Sequence, residues 1–280
     1  MPELPEVESV RRGLEPYVLG ARLDDVTVLR DRAVRRQAGG ATEFCGRTRG
    51  RRVVGTDRRG KFMWLVLDDG SAITIHLGMS GQMRIEHPGA APGRHTRAVF
   101  ELSNGHAVHF NDQRTFGWVW ATEMAEAFGR EVPVPASEIA PDLMEQGLDP
   151  VKLAHRMRRS HSAIKRVLLN QNVVSGIGNI YADEMLWAAR VNGETPASDI
   201  SVRKLAQLVR EGQKVLIAAL DAGGTSFDSL YVHVNGESGY FDRSLHAYGR
   251  AGQPCDRCGT TMVRKVFMNR SSYLCPRCQR

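Results

Sequence analysis

Four of the five cysteines form two pairs near the carboxyl terminus of the 280-residue chain. Cys255 and Cys258 make one CxxC pair, and Cys275 and Cys278 make the other after sixteen intervening residues. Two CxxC turns present four thiolates, and this spacing is typical of a tetrahedral Zn²⁺ site. Four protein ligands leave no open position for water, so the predicted zinc is structural. Redox-active cysteines are the alternative, and Cys45 stands apart from both pairs.

The chain starts Met-Pro-Glu, which places a proline where an amine can do covalent chemistry. A small second residue favours removal of the initiator methionine, and Pro2 would then carry a free secondary amine. An amine of this type has a reference pKa of about 8. Its attack on an anomeric carbon gives an iminium, which acidifies the neighbouring carbon and allows phosphate to be eliminated. Glu3 beside it can donate and accept protons. The alternative is that both residues simply suit the first turn of a helix.

The net charge of +7 and the pI of about 9.4 come from an uneven distribution of basic residues. Such a charge excess favours a polyanion, because cations that neutralise phosphates release condensed counterions. A solvated basic face is the alternative. The basic residues of the segment 30–61 are Arg30, Arg32, Arg35, Arg36, Arg47, Arg49, Arg51, Arg52, Arg58, Arg59 and Lys61.

The elements that would position these groups follow from hydrophobic periodicity. Leu4, Val7, Val10, Leu14 and Val18 have helical spacing and predict an amphipathic helix at the start of the chain. From about residue 22 to residue 121, short apolar runs punctuated by Gly and Asn/Asp predict an antiparallel sandwich or barrel. The expected strands include 62–67, 72–75, 98–102 and 118–121.

The rest of the chain divides into a linker, a helical region, a long polar segment and the cysteine module. Proline and small residues at 130–141 predict a linker. Helical periodicity follows in 151–159, 163–170, 179–190 and 201–221. A polar segment to about residue 245 is too long for an ordinary connection. The predicted domains are 1–130, 131–222, 223–245 as a loop and connection, and 246–280, in an α+β multidomain fold.

The sequence shows the pattern of neither a membrane span nor a secretory signal. No stretch approaches the roughly eighteen uninterrupted apolar residues that a membrane span needs. The first residues carry carboxylates and a proline instead of the basic and apolar regions of a secretory signal. These features predict a cytoplasmic protein with no membrane partner.

Six motifs occur together in a fixed order: MPELPEVE, RRGKF, HLGMSGQM, DQRTFG, VVSGIGNIYADE and the cysteine module. In this respect the whole chain resembles the formamidopyrimidine-DNA glycosylases. The resemblance implies a β-sandwich with a leading helix, a helix-two-turn-helix domain and a zinc-ribbon hairpin. It also implies a monomer that binds damaged double-stranded DNA and needs no nucleotide cofactor. The PELPEV start looks like the purine-directed branch, since the sister endonuclease VIII branch typically begins PEGPE.

The resemblance implies a bacterial base-excision repair enzyme, working at the nucleoid. It would hydrolyse the glycosidic bond to 8-oxoguanine or a formamidopyrimidine and then cut the abasic site by β- and δ-elimination. Pro2 is the implied Schiff-base nucleophile, and Glu3 assists opening of the sugar ring. Lys61 in RRGKF matches a lysine that contacts phosphate and supports β-elimination, with an ordinary surface lysine as the alternative. Arg270 matches an arginine linked to phosphate clamping and δ-elimination, with a solvated hairpin charge as the alternative.

Further DNA-binding residues are implied by the same resemblance. An extruded base leaves a gap that must be filled, and Met79, Arg114 and Phe116 match the inserted residues. Core packing is the alternative for Met79 and Phe116, although the neighbouring glycines favour exposed loops. His95 matches a DNA-contacting histidine, with an ordinary surface or core histidine as the alternative. Asn179, at a helix start, matches a residue that holds phosphate, with a simple N-cap as the alternative, and the two roles are compatible.

The chain departs from the family pattern in two places. DQRTFG stands where DPRRFG is common, and Arg158-Arg159-Ser160-His161 replaces a lysine run, which leaves Arg159 as a candidate phosphate contact. The segment 223–241 matches a loop that closes over an extruded purine. Two alternative functions stay open: a glycosylase of the same fold that prefers oxidised pyrimidines, and a relative that binds damaged DNA without cutting it.

Overall fold

The computed structural model describes residues 2–224, 234 and 244–280. The chain forms two compact units, the first made of residues 1–138 with 223–240 and the second of residues 139–222 with 241–280. Within the described ranges, no helix is both long and apolar enough to cross a membrane.

The first unit is a sandwich of two four-stranded antiparallel sheets. Its strands are β1 (Leu23–Val28), β2 (Val53–Arg59), β3 (Phe62–Leu67), β4 (Ala72–His76), β5 (Gly81–Glu86), β6 (Thr96–Leu102), β7 (Ala107–Asp112) and β8 (Trp118–Thr122). One sheet has the order β1-β6-β7-β5 and the other β2-β3-β4-β8. The four predicted strands and the sandwich architecture are therefore confirmed.

Helix α1 (Leu4–Val18) packs on β2 and β3 through the face that its periodicity predicts. The five residues of that face are at most 1 % exposed, and four of them join the sandwich core with residues of both sheets: Val7, Val10, Leu14 and Val18. A second helix, α2 (Gly40–Thr48), interrupts a region where only strands were expected. It forms because Phe44 is fully buried against Phe100, which gives this short segment an apolar face.

The expected linker at 130–141 is corrected by the structure. Strands β9 (Met124–Ala127) and β10 (Arg130–Pro133) pair as a hairpin, and helix α3 (Val134–Ser137) follows directly. Val132 and Ala136 are fully buried against Trp64 and Ala72. A few well-placed apolar residues thus make most of this proline-rich stretch part of the first unit.

The second unit is helical and ends in a two-stranded hairpin. Its elements are α4 (Pro150–Arg158), α5 (Ile164–Leu169), α6 (Asn179–Ala189), α7 (Val202–Asp221), β11 (Val263–Phe267) and β12 (Arg270–Leu274). Asp149 and Ser201 cap α4 and α7 through side-chain oxygens that accept backbone N–H bonds. All four predicted helices are present, and the α+β fold class is confirmed.

Most of the predicted loop at 223–245 falls on residues 225–233 and 235–243, which lie outside the described residues. Val234, between these ranges, is buried, and its carbonyl accepts a hydrogen bond from the Ile85 N–H at 3.1 Å. A Cβ built on Gly13 would stand 2.8 Å from a Val234 methyl. The glycine on α1 therefore leaves the space that Val234 occupies.

Candidate active site and nucleic-acid interface

Pro2 and Glu3 lie buried at the amino-terminal end of α1. Glu3 is the N-cap of the helix and forms a capping box with Glu6, whose carboxylate accepts the Glu3 backbone N–H at 2.8 Å. The positive end of the helix dipole disfavours a protonated amine at this position. Once Met1 is removed, the free amine of Pro2 would lie at this helix start, next to residue Glu3, in a setting that suits nucleophilic attack.

Lys61 is half-buried in the turn between β2 and β3. Gly60, which precedes it, has a φ of 59°, in the left-handed region that glycine adopts without strain. Helix α1 packs on both strands that flank this turn. Sequence and packing thus bring Lys61 to the part of the sandwich that α1 covers.

His76 stands beside Lys61 and was not singled out from the sequence. Register places it between Phe62 and Trp118 on neighbouring strands, and its ring stacks on Trp118. Burial, and then the charges of Lys61 and Arg36, lower its pKa to about 4. Nδ1 accepts the Gly78 N–H at 3.2 Å, so the neutral ring carries its proton on Nε2 and can donate it to an anion. The signal was available, since His76 is the first letter of HLGMSGQM.

Met79, Arg114 and Phe116, the residues that the resemblance assigns to base insertion, are exposed on two adjoining turns, 77–81 and 112–117, and are called the insertion cluster below. Met79 is 39 % exposed and Phe116 41 %, and the Arg114 guanidinium lies 5.1 Å from the centre of the Phe116 ring. A Cβ on Gly78 would come within 2.5 Å of the backbone at Phe116 and Gly117. The two turns therefore touch through backbone atoms, and core packing does not account for the apolar residues that they carry.

Asp112 fixes these turns and was also missed from the sequence, although it begins DQRTFG. Its carboxylate is 1 % exposed and accepts bonds from the Ser80 hydroxyl at 2.5 Å and the Gly117 N–H at 2.7 Å. The Arg114 N–H donates to it at 3.1 Å. From the other side, Arg35 donates to the Phe116 and Gly117 carbonyls. These hydrogen bonds thus fix the two turns that carry the insertion cluster.

His95 lines a polar cavity of about 430 Å³ on the first unit, together with His109, Asp112 and Gln113. Within the described parts of the chain, His95 Nδ1 and His109 Nε2 have no hydrogen-bond partner. The cavity reaches residues of the turn that carries Arg114. His95 is therefore on the same unit and near the same turn as the insertion cluster.

In the second unit, Asn179 is the first residue of α6, with Gly178 as the N-cap. Its side-chain Nδ2 donates to the Ser271 carbonyl at 2.9 Å. Ser271 follows Arg270 at the start of β12, so the amide joins the start of the helix to the hairpin. The N-cap alternative for Asn179 is wrong, because the side chain bonds the hairpin and Gly178 holds the cap position.

A buried ion pair supports the same junction, and the sequence analysis did not anticipate it. Lys165 Nζ lies 2.6 Å from Asp183 and also donates to the Ser271 carbonyl at 3.3 Å. Asp183 accepts further bonds from the Ser272 hydroxyl and the Tyr273 N–H, each at 3.0 Å. Lys165 and Asp183 are at most 1 % exposed. Helices α5 and α6 therefore hold β12 through one charged pair.

Arg270 is exposed at the start of β12, and its Nε donates to the Asn269 side-chain oxygen at 3.3 Å. It lines a cavity of about 330 Å³ with Ser160 and Arg166. Arg159 is exposed at the end of α4, next to Ser160. The structure thus places Arg270 and Arg159 at the same part of the second unit.

The four cysteine sulfur atoms converge to within 4.8 Å of one another. Cys258 Sγ is 3.5 Å from the sulfurs of both Cys275 and Cys278. Tetrahedral Zn–S bonds of about 2.3 Å would separate the sulfurs by about 3.8 Å, so the donor set fits zinc. Trp187 of α6 packs on the module and donates from Nε1 to Cys255 Sγ at 3.5 Å.

Comparisons with known proteins agree over the whole chain. The formamidopyrimidine-DNA glycosylase N-terminal domain matches residues 1–119, the H2TH domain of the same enzymes matches 139–230, and a zinc finger found in FPG and IleRS matches 252–280. The chain belongs to the formamidopyrimidine-DNA glycosylase family. The predicted family and the predicted structural zinc site are therefore both confirmed.

Individual relatives of this family are similar over their full length. Formamidopyrimidine-DNA glycosylases of Corynebacterium diphtheriae and Mycolicibacterium smegmatis are each 53 % identical, covering 100 % of this chain and 99 % and 97 % of those proteins. The MutM (Fpg) protein of Thermus thermophilus is 34 % identical with a TM-score of 0.85, covering 99 % of this chain and 98 % of that one. Lactococcus lactis Fpg bound to abasic-site DNA is 27 % identical with a TM-score of 0.86 and 99 % coverage of both chains.

The predicted site residues of this formamidopyrimidine-DNA glycosylase family member divide between the two units. The roles suggested for these residues stay predictions. Those in the first unit are Pro2, Glu3, Lys61, Met79, His95, Arg114 and Phe116, and those in the second are Arg159, Asn179, Arg270 and the zinc ligands.

Proposed function

We propose that this protein excises oxidised bases from duplex DNA, with oxidised purines as its main substrates, and then cuts the abasic site through a Schiff base at Pro2. The observation that carries the proposal is the buried start of α1, where Pro2 directly precedes Glu3 and both residues are buried. A chain of this family with that arrangement has both the amine and the proton carrier that the reaction needs.

The reaction assigns one task to each group. The Pro2 amine attacks C1′ and the damaged base leaves with a proton, while Glu3 protonates the sugar-ring oxygen as the ring opens. The resulting iminium withdraws electrons from C2′, so loss of a C2′ proton expels the 3′ phosphate. A second elimination expels the 5′ phosphate and leaves a one-nucleotide gap with phosphates at both ends. Lys61 and Arg270 would stabilise the phosphates in these steps.

The insertion cluster supports base extrusion by the same protein. Met79 and Phe116 offer apolar surface that can occupy the space of a displaced nucleotide, and Arg114 can hydrogen-bond the unpaired partner base. Hydrogen bonds to the Asp112 carboxylate hold the turns that carry these groups, so the side chains are exposed before DNA binds. We expect three further side chains to contact the sugar-phosphate backbone of the DNA: His95, Asn179 and Arg159.

Double-stranded DNA is the proposed partner, and a monomer in the bacterial cytoplasm, bound to the nucleoid, is the proposed state. The Lactococcus lactis relatives were crystallised with abasic-site and Fapy-dG DNA. The basic segment 30–61 supplies phosphate-neutralising charge to the first unit. No nucleotide cofactor takes part in the proposed reaction.

Activity on oxidised pyrimidines is a second candidate for one specific reason. Another structure of the Lactococcus lactis protein contains DNA with an oxidised pyrimidine. The PELPEV start of this chain favours purines, so we expect pyrimidine lesions to be weaker substrates. A relative that only binds damage is disfavoured by the presence of Pro2, Glu3, Lys61 and Arg270 together.

Borohydride trapping tests the proposal directly. The substrates are duplexes with 8-oxoguanine opposite cytosine or with an oxidised pyrimidine, and the protein's intact mass first verifies that Met1 is removed. We expect trapping on the purine lesion by the wild type and none by Pro2→Gly. Binding without trapping or cleavage would establish the binding-only alternative, and trapping on the pyrimidine lesion alone would establish the other branch.

A further inference from the structure

One buried carboxylate and one buried guanidinium join the helix that carries Pro2 and Glu3 to the turn that carries Lys61. Glu8 lies on α1, and Arg58 is the penultimate residue of β2. Arg58 Nε lies 3.3 Å from Glu8 Oε2, and the two side chains are only 8 % and 10 % exposed. The contact therefore crosses from helix to sheet inside the first unit.

The same Arg58 guanidinium also reaches the turn. Its Nη1 donates to the Gly60 carbonyl at 3.2 Å, and Gly60 directly precedes Lys61. A guanidinium is planar and presents its N–H donors in fixed directions, so it can bond two acceptors at once. A lysine ammonium is a compact charge on a flexible stem and lacks this fixed geometry. Arg58 thus fixes the backbone before Lys61 relative to a residue of α1.

The charge on Glu8 is held in place by its surroundings. Burial raises the pKa of Glu8, but hydrogen bonds and charges from Arg11, Arg58 and Arg12 together hold it below its ordinary value of 4.5. Arg11 adds a second tie from α1 to β2, because its Nη1 donates to the Thr56 hydroxyl at 2.7 Å. An ionised Glu8 is therefore the centre of a charged network at this junction.

We infer that Arg58, oriented by Glu8, is a positioning residue that sets where Lys61 stands relative to the Pro2–Glu3 end of α1. The inference rests on the proposed function, because it concerns a residue of the proposed reaction. Arg58 is too buried to meet DNA itself, so its influence on chemistry passes through the turn. A displacement of about 1 Å at a reacting group can cost about a hundredfold in rate.

Arg12 supplies a matched control in the same network. Its Nε lies 2.7 Å from the other oxygen of Glu8, but its side chain is 59 % exposed and this contact stays within α1. Replacing Arg12 removes a cation from the same carboxylate without touching the turn. Arg12→Met and Arg58→Met therefore separate loss of charge around Glu8 from loss of the link to Gly60.

The experiment compares Arg58→Met, Arg58→Lys and Arg12→Met on a duplex with a preformed abasic site. Single-turnover trapping and strand-cleavage rates are measured together with the Kd for an uncleavable tetrahydrofuran duplex. We expect cleavage to slow about tenfold or more in Arg58→Met, because Lys61 is displaced while binding is retained to within about threefold. Arg58→Lys should lie between, and Arg12→Met should stay within about twofold of the wild type.

A double-mutant cycle decides whether Arg58 acts through Lys61. If it does, Arg58→Met combined with Lys61→Ala cleaves no more slowly than Lys61→Ala alone. Multiplied losses would overturn the inference, and so would wild-type cleavage rates in Arg58→Met. Thermal melting shows which variants are folded. If Arg58→Met is unfolded, Arg58→Lys replaces it in the double-mutant cycle. A wild type that never traps on damaged DNA would instead overturn the proposed function.

Discussion

At the scale of single residues, exposure distinguishes the proposed DNA-contacting groups from those that hold the fold. Met79 and Phe116 are apolar yet about two-fifths exposed, whereas Phe44 is completely buried. Buried polar residues stabilise the turns that carry the exposed groups, as Asp112 does by accepting hydrogen bonds from Ser80 and Gly117. The consequence is that mutations at these sites should separate activity from stability.

Met79→Ala and Phe116→Ala test this separation. Because both side chains are exposed, each substitution should change the free energy of unfolding by less than about 0.5 kcal/mol. Each should slow excision of 8-oxoguanine from duplex DNA, since an apolar wedge is lost. Phe44→Ala is the buried reference and should cost about 3–5 kcal/mol. Urea unfolding and single-turnover excision measure the two effects, and a stability loss at Met79 or Phe116 comparable to that of Phe44→Ala would support core packing instead.

His76 makes a prediction about pH. Its folded-state pKa of about 4 lies below the ordinary value of 6.5, because the buried ring is disfavoured when charged. The stabilisation by the neutral ring is complete above pH 6.5 and is lost as the pH falls toward 4. By the shift in pKa the whole effect is roughly 3 kcal/mol. We expect unfolding free energies measured from pH 7 to pH 4 to fall less in His76→Asn than in the wild type. Equal slopes would mean that the ring does not titrate in this way.

At the scale of elements, short segments depend on contacts made far away in the chain. The strands of the β11–β12 hairpin have only ten residues between them. The ion pair of Lys165 and Asp183, from two helices, holds strand β12. Glu184 adds three backbone contacts, accepting the N–H groups of 246, 247 and 248. Helix α6 is therefore the support on which the zinc module is built.

Lys165→Met should be strongly destabilising for this reason. Removing one member of a buried ion pair leaves the other charge unpaired and costs about 3–5 kcal/mol. Lys265→Met is the matched control on the same hairpin, because its pair with Glu194 is 44 % and 49 % exposed and such pairs contribute less than about 1 kcal/mol. Chemical unfolding of both variants, with zinc content measured in parallel, tests the difference. Similar losses in the two variants would contradict it.

At the scale of the whole molecule, the charge of +7 has to act through particular cations. Many arginines are already engaged in exposed ion pairs, such as Arg22 with Asp24. In the part of the chain that the structure describes, the side-chain partner of Arg270 is instead a neutral residue, Asn269. Net charge alone therefore does not identify the cations that meet phosphate.

The salt dependence of DNA binding identifies them. Each phosphate contact contributes about −0.9 to the slope of log K against log salt concentration. Arg270→Ala should make this slope shallower by about 1 and weaken binding to all sequences. Arg22→Ala should leave the slope unchanged. Fluorescence anisotropy with a tetrahydrofuran duplex at several salt concentrations gives both values, and an unchanged slope in Arg270→Ala would remove this residue from the interface.

Local sequence determined the elements whose signal is complete within a few residues. The α1 periodicity, the strand at 62–67, the four helices of the second unit and the CxxC spacing were all predictable, because each rests on short-range spacing. Motif order was enough to indicate the family. Tertiary structure decided the rest: residues 130–137 pack because Trp64 lies opposite them, and Asn179 bonds a strand that begins more than ninety residues later. The junctions of Arg58 with Glu8 and of Lys165 with Asp183 arise for the same reason. Burial and pairing of charges depend on which distant segments meet, and no local spacing carries that information.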